Sequence, residues 1–110
     1  MKRITLLALL ASLPLAAAAQ APEQAAACAA CHGEGGAKPI LPDYPVLAGQ
    51  YANYLEHTLR EYRSGARKNA IMAAQAAALS DADIKALAEY YQRQPGPLYT
   101  PRLSGTGAGQ

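Results

Sequence analysis

The chain has 110 residues, 51% of them hydrophobic, and a formal net charge of +2 at pH 7. This length favours a single domain, and the near-balanced charge lacks the basic excess that nucleic-acid binding requires. The seven aromatic residues are all tyrosines, so without Phe or Trp the chain is short of large apolar side chains for a core.

The N-terminus has the pattern of a secretory signal peptide. A basic start precedes an apolar run from Ile4 to Leu15, and small residues follow. The run is too short for a membrane span, although an N-terminal anchoring helix is the alternative. We predict a signal peptide over residues 1–19, export to the periplasm and no transmembrane segment after cleavage. Without Lys2 and Arg3 the chain has eight basic and eight acidic residues, which again argues against nucleic acid as a partner.

The next stretch, Cys28-Ala-Ala-Cys31-His32, has the C-x-x-C-H spacing of a c-type haem attachment site. The two cysteines are the only ones in the chain, and one helical turn brings both thiols within reach of the vinyl groups of one haem. The imidazole of His32 would then be the proximal ligand of the iron. We predict one covalently attached haem c. A dithiol or disulfide redox pair is the alternative, but such pairs are typical of a βαβ scaffold that this sequence does not predict.

Three helices and two long loops are predicted for the middle of the chain. The first helix begins near Pro22 and ends at Gly33, the second spans Gln50–Arg63, and the third follows the N-cap Ser80. No alternating run of β-branched residues indicates a strand, so the predicted fold class is all-α. The last two helices carry apolar residues at helical spacing: Tyr51, Leu55, Leu59 and Tyr62, then Ile84, Leu87, Ala88 and Tyr91.

The second axial position of the iron has three candidates: Met72, His57 or an open site. Met72 is the only methionine beyond the predicted signal peptide, and it lies in a stretch of small residues that we predict to be a loop. A thioether ligand favours Fe(II) and raises the reduction potential. His57 is two positions from both Leu55 and Leu59, so it is expected to face solvent. We therefore predict Met72 as the ligand.

A cluster of basic residues after the middle of the second predicted helix has two interpretations. It is either a solvated helix face or a group in which one arginine pairs with a haem propionate while others steer an acidic partner. Its members are Arg60, Arg63, Arg67 and Lys68.

The C-terminal residues have a composition that cannot bury a core. Prolines and glycine end the last helix at residues 95–97, and small or polar residues dominate after 103. We predict a domain over residues 20–94 and a Pro/Gly-rich tail over 95–110 that can be disordered. A strap pinned to the domain by Tyr99 is the alternative.

In order along residues 23–93, the chain resembles class I c-type cytochromes and is most similar to the single-haem modules of the bacterial periplasmic cytochromes of the c-four and c-five type. The matching stretches are Cys28–Gly33, Tyr44–Tyr51, Tyr54-Leu55, Leu59, Tyr62–Gly65, Arg67, Met72, Leu79–Ile84 and Leu87–Tyr91.

The resemblance implies a small all-α fold of three main helices and loops wrapped around one covalent haem. It implies His32 and Met72 as axial ligands, and Pro45 as the residue whose carbonyl accepts the ring N–H of His32. Relatives often carry a second methionine or a similar residue just after the ligand, where this chain has Gln75.

The implied function is that of a periplasmic monohaem cytochrome, not an enzyme, that passes single electrons between redox-partner proteins. One alternative is the electron-transfer subunit of a periplasmic dehydrogenase or oxidase. The other is a haem sensor or enzyme with an open distal site.

Overall fold

A computed structural model describes residues 20–101 of the chain. The helices in chain order are α1 (Ala25–His32), α2 (Ala52–Ser64), α3 (Ala70–Ala77) and α4 (Asp81–Gln92), with a 3-10 turn at Glu34–Gly36. No strand occurs in this part of the chain, and the predicted all-α class is confirmed. The predicted signal peptide over residues 1–19 lies outside the described residues, as do residues 102–110 of the predicted tail, and both stay predictions.

The core lies where α1, α2 and α4 meet. Leu55 of α2 packs with Leu87 and Tyr91 of α4 and with Ala25 of α1. Ile84 and Leu87 are the largest fully buried side chains of the described residues, which confirms the apolar stripe predicted for the last helix. α2 packs against both α3 and α4, so it is the central element of the fold.

α3 is a helix that the sequence did not predict, because the stretch of small residues around Met72 was predicted to be a loop. Its side chains are mostly small and form no apolar stripe, so the periodicity gave no signal. Alanine has the highest helix propensity, and Asn69 caps the helix by accepting a hydrogen bond from the Met72 N–H at 3.0 Å. Packing against α2 then supplies the stability that so short a helix lacks alone.

α4 begins with a reciprocal capping box. The Ser80 hydroxyl accepts from the Asp83 N–H at 3.1 Å, and the Asp83 carboxylate accepts from the Ser80 N–H at 2.8 Å. The hydrogen bond from the Ser80 backbone lowers the pKa of Asp83. The other oxygen of Asp83 accepts from Gln24 just before α1, so the cap also joins the start of α4 to the start of α1.

Two arginines of α2 converge on the first residue of α4. Arg63 and Arg60 approach the same Asp81 oxygen at 2.6 and 2.7 Å, and Arg63 also donates to the Leu79 carbonyl at 3.0 Å. The hydrogen bond from Arg63 and the charge of Arg60 lower the pKa of Asp81. Arg60 and Arg63 therefore join two helices. Arg67 lies 3.7 Å from Glu61, so three of the four members of the predicted basic cluster are paired with an acidic residue.

The described part of the predicted tail lies back along the domain. The Thr100 hydroxyl donates to the Gly49 carbonyl, and the Pro101 carbonyl accepts from the Tyr51 hydroxyl. Tyr99 is 89% exposed, so it does not pin this segment to the domain. Backbone carbonyls and hydroxyls, instead of the aromatic ring, make these contacts.

Across residues 20–101, none of the helices combines the length and the apolar character needed to cross a membrane.

Loss of the Ser80 cap should destabilise α4. We expect Ser80→Ala to lower the free energy of unfolding by about 1 kcal/mol, because the N–H of Asp83 loses its acceptor. Ser80→Asn keeps a side-chain acceptor and should retain most of that stability. Urea unfolding of the haem-loaded protein, followed by circular dichroism, measures both variants, and equal stability of the two would contradict the role of the cap.

Candidate haem site

One cavity of about 480 Å³ lies between the helices, and all five predicted site residues line it. Its size is within the range of pockets that bind small molecules and cofactors. All four helices and the loop between the 3-10 turn and α2 contribute to its walls. Most of the lining is apolar, with Val46, Leu47, Leu55, Leu59, Leu87 and Ala88 as its main aliphatic side chains.

The two cysteines lie on one side of α1 and both line the cavity. Their spacing of three residues places them on successive turns of the same helix face. Burial raises the pKa of the Cys28 thiol, which donates a long hydrogen bond of 3.5 Å to the Gln24 carbonyl. Burial also raises the pKa of Tyr91, so this phenol beside Cys28 stays neutral. The site therefore offers two adjacent thiols in an apolar wall.

His32 is the last residue of α1 and is only 7% exposed. Its Nδ1 lies 2.8 Å from the carbonyl oxygen of Pro45. A carbonyl oxygen can only accept, so Nδ1 carries the proton. In the neutral imidazole this leaves Nε2 with a lone pair for a metal ion. The contact matches the role that the resemblance implied for Pro45.

Four backbone hydrogen bonds hold the loop that carries Pro45. The Gly36 carbonyl accepts from the N–H groups of Leu47 and Ala48 at 2.8 and 3.0 Å. The Gly49 N–H donates to the Tyr91 carbonyl of α4 at 2.9 Å. Nearer the other end of the loop, the Ile40 N–H donates to the carbonyl of Cys31 at 3.0 Å. The position of the histidine's acceptor is thus fixed from α1, the 3-10 turn and α4.

Met72 lies in the first turn of α3 and lines the cavity, as does Gln75 one turn later. The Asn69 cap holds the backbone of this turn through the Met72 N–H. His57 does not line the cavity. Its side chain is 71% exposed, and Nε2 lies 3.3 Å from Glu61 one turn away. The structure thus brings Met72, and not His57, into the same cavity as His32.

Three hydroxyls on the cavity wall, next to a cation of the predicted basic cluster, were not assigned from the sequence. Tyr54, Thr58 and Tyr62 follow one another at four-residue spacing along α2, and all three line the cavity together with Arg67. The Arg67 guanidinium lies 5.4 Å from the centre of the Tyr62 ring, and hydrogen bonding to Tyr54 and Tyr62 raises its pKa. The spacing of four was visible in the sequence, but the contact with Arg67 depends on the turn after α2.

The donor set fits haem c. Two thiols, an imidazole with a fixed tautomer and a thioether are the groups that attach and ligate a c-type haem, and the aliphatic lining suits the apolar faces of a porphyrin. The fold and the site together define a small all-helical haem protein of the c type.

Comparison with known proteins agrees with this class. The cytochrome c family profile matches residues 16–94, which is most of the chain. The chain belongs to the cytochrome c family, whose members carry covalently attached haem c, and the predicted class I c-type membership is confirmed. This membership was predicted from the C-x-x-C-H motif together with the downstream stretches, which follow one another in the same order as in the family.

Three relatives illustrate the range of the family. A thiosulfate dehydrogenase electron acceptor of Thiomonas intermedia is 41% identical over 97% of this chain and 53% of its own length. Cytochrome c-554(548) of Halomonas halodenitrificans is 44% identical over 70% of this chain and 95% of its own. Cytochrome c4 of Azotobacter vinelandii is 41% identical over 60% of this chain and 33% of its own. The chain thus spans about half of the Thiomonas relative and a third of the Azotobacter one.

Crowding at Gly36 should make this turn sensitive to substitution. Gly36 has a φ of +71°, and a Cβ there would lie 2.8 Å from Leu47 and 2.9 Å from the Tyr91 ring. We expect Gly36→Ala to lower the free energy of unfolding by about 3 kcal/mol, because a left-handed alanine adds to overpacking.

Gly65→Ala is the matched control. Gly65 has a φ of +83° with nothing within 4 Å of the added Cβ, so only the backbone cost of about 1 kcal/mol is expected. Denaturant unfolding of the haem-loaded variants measures both losses, and losses of equal size would show that the close approach of Gly36 is unimportant.

Proposed function

We propose that this protein is a monohaem c-type cytochrome that carries single electrons between redox partners. In this proposal Cys28 and Cys31 would hold the haem covalently, and His32 and Met72 would ligate its iron. The observation that carries it is the convergence of these four side chains on one largely apolar cavity. The hydrogen bond of 2.8 Å between His32 and Pro45 supports it further, because that bond orients the ligating nitrogen.

The protein's own residues orient the ligands and exclude water. Haem supplies an iron that exchanges one electron between Fe(II) and Fe(III). The Pro45 carbonyl holds the proton on Nδ1 of His32 and makes the imidazole a stronger donor. The capped first turn of α3 positions the Met72 thioether, which raises the reduction potential relative to a second imidazole. The aliphatic lining keeps the site dry and so limits its reorganisation when the charge changes.

The basic residues divide between two roles. Arg60 and Arg63 share Asp81, and Arg67 lies 3.7 Å from Glu61, so the charge of all three is partly offset at the surface. Arg67 is the one lysine or arginine among the described residues that line the cavity. We therefore assign Arg67 to a haem propionate, since a guanidinium pairs well with a carboxylate. Exposed Lys68 is left as the member of the cluster best placed to steer an acidic partner.

The proposed setting is the periplasm of a bacterium, reached through the signal peptide predicted over residues 1–19. The partners are redox proteins, and the chain is a carrier, not an enzyme. The name of the Thiomonas relative describes that protein as the electron acceptor of a thiosulfate dehydrogenase. This supports a second form of the proposal, in which the present chain serves as the electron-transfer subunit or dedicated acceptor of a periplasmic dehydrogenase or oxidase.

The mass of the mature protein tests covalent attachment. Protein produced with a c-type haem maturation system should carry the added mass of one haem and should lack residues 1–19. Cys28→Ala and Cys31→Ala should each leave at most one thioether. An unmodified mass for the wild-type chain would end the cytochrome proposal and would favour a dithiol function for the two cysteines.

Replacement of Met72 tests the second axial ligand. We expect Met72→Ala to lower the reduction potential, by a substantial part of the roughly 0.8 V range that axial ligands span, and to open the iron to carbon monoxide. His57→Ala is the control, because that side chain is exposed and remote from the cavity lining. Unchanged potential and spectrum in Met72→Ala, or rapid carbon monoxide binding by the reduced wild type, would favour a haem sensor or enzyme with an open distal site.

A further inference from the structure

The chain after α4 packs onto the segment that follows the acceptor of His32. We call residues 95–101 the C-terminal strap. The cytochrome c family profile matches the chain only up to residue 94, so the strap lies beyond the matched part. The strap contacts residues 48–51. These follow closely after Pro45, whose carbonyl oxygen lies 2.8 Å from Nδ1 of His32.

Gly96 packs the strap tightly against the domain. A Cβ at this position would lie 2.7 Å from the Cβ of Ala48 and 3.6 Å from that of Ala37. Ala48 is 0% exposed, so it has little room to move away. Its N–H is one of the two loop donors to the Gly36 carbonyl, and Ala37 follows Gly36 directly. The strap therefore lies against the junction where the loop is tied to the 3-10 turn.

Two hydroxyl hydrogen bonds hold the far end of the strap. The Thr100 hydroxyl donates to the Gly49 carbonyl, and the Tyr51 hydroxyl donates to the Pro101 carbonyl. Both partners on the domain side belong to the segment between the loop and α2. Each bond depends on a hydroxyl that a substitution of similar shape removes.

The start of the strap is attached to the same segment through α4. The Tyr91 carbonyl accepts from the Gly49 N–H at 2.9 Å and from the N–H of Gln94, the residue before the strap, at 3.1 Å. Both ends of the strap thus hold the chain just after the loop. A movement of the loop away from α1 disturbs these contacts together with the loop's own backbone bonds.

We infer that the C-terminal strap holds the Pro45 carbonyl against His32 and so positions the proximal ligand of the iron. The inference rests on the proposed function, in which His32 ligates haem. No strap residue lines the cavity, so the strap acts through the loop. An acceptor that stays in place keeps the imidazole in one orientation, which limits the rearrangement that accompanies electron transfer.

Proton exchange at two sites of the loop tests the inference. The His32 Nδ1 proton is bonded to Pro45, and the Leu47 N–H is bonded to the Gly36 carbonyl, so both exchange with solvent when the loop opens. Nuclear magnetic resonance of the reduced, haem-loaded, nitrogen-15-labelled protein measures both rates. Every variant keeps the full chain.

Three substitutions weaken the strap or restore it. Thr100→Val removes the donor to Gly49 and should speed exchange at both sites roughly fivefold. Thr100→Ser retains the donor and should keep the rates close to wild type. Gly96→Ala forces a Cβ against Ala48 and should speed both rates by about tenfold.

Two control variants separate this effect from a general loss of stability. Tyr99 lies on the strap but is 89% exposed, so Tyr99→Ala should leave both rates unchanged. Ser80→Ala weakens the protein at the start of α4 and should also leave them unchanged, because it does not touch the loop. Wild-type rates in both Gly96→Ala and Thr100→Val would overturn the inference. An equal increase in Ser80→Ala would do the same, because exchange would then report global unfolding.

Failure of the proposed function is distinguishable from failure of this inference. A wild-type protein without covalent haem, or without the spectrum of His–Met ligation, refutes the proposed function. A wild type with both properties, whose Gly96→Ala and Thr100→Val variants keep wild-type exchange rates, refutes only the role of the strap.

Discussion

The hydrogen bond between His32 and Pro45 is the contact on which the arrangement of the site depends. It joins the end of α1 to the loop before α2 and decides which imidazole nitrogen can meet a metal. The loop could not hold this position alone. It is fixed by the Gly36 carbonyl and by the Tyr91 carbonyl of α4, so the orientation of His32 is coupled to packing between the first and last helices.

The cavity combines an apolar interior with polar groups concentrated on one wall. Aliphatic side chains from α2 and α4 line much of the cavity, whereas Arg67, Thr58 and the neighbouring tyrosines share the α2 side. In such a low-dielectric lining each charge or dipole acts more strongly on its neighbours than it would in water. Under the proposed function, a change of a polar residue on that wall would therefore alter the reduction potential without changing the proposed ligands.

The sequence predicted best what is encoded locally. Two short-range patterns are examples: the spacing of Cys28, Cys31 and His32, and the apolar stripe of the last helix. The structure places the first on α1 and buries the second on α4. α3 was missed because a run of small residues has helix propensity without periodicity, and its cap at Asn69 depends on local backbone geometry. The neighbours of Arg67 were missed for a different reason, since they depend on how the chain turns after α2.

The bonds that anchor the loop also determine where its length can change. Ile40 is tied to Cys31 and Leu47 to Gly36, so an insertion near either residue would displace the acceptor of His32. Between them, Leu41, Pro42 and Asp43 are exposed. Insertions and deletions that spare the bond between His32 and Pro45 are thus confined to this outer bend, which is the natural position for a graft, a label or a surface handle.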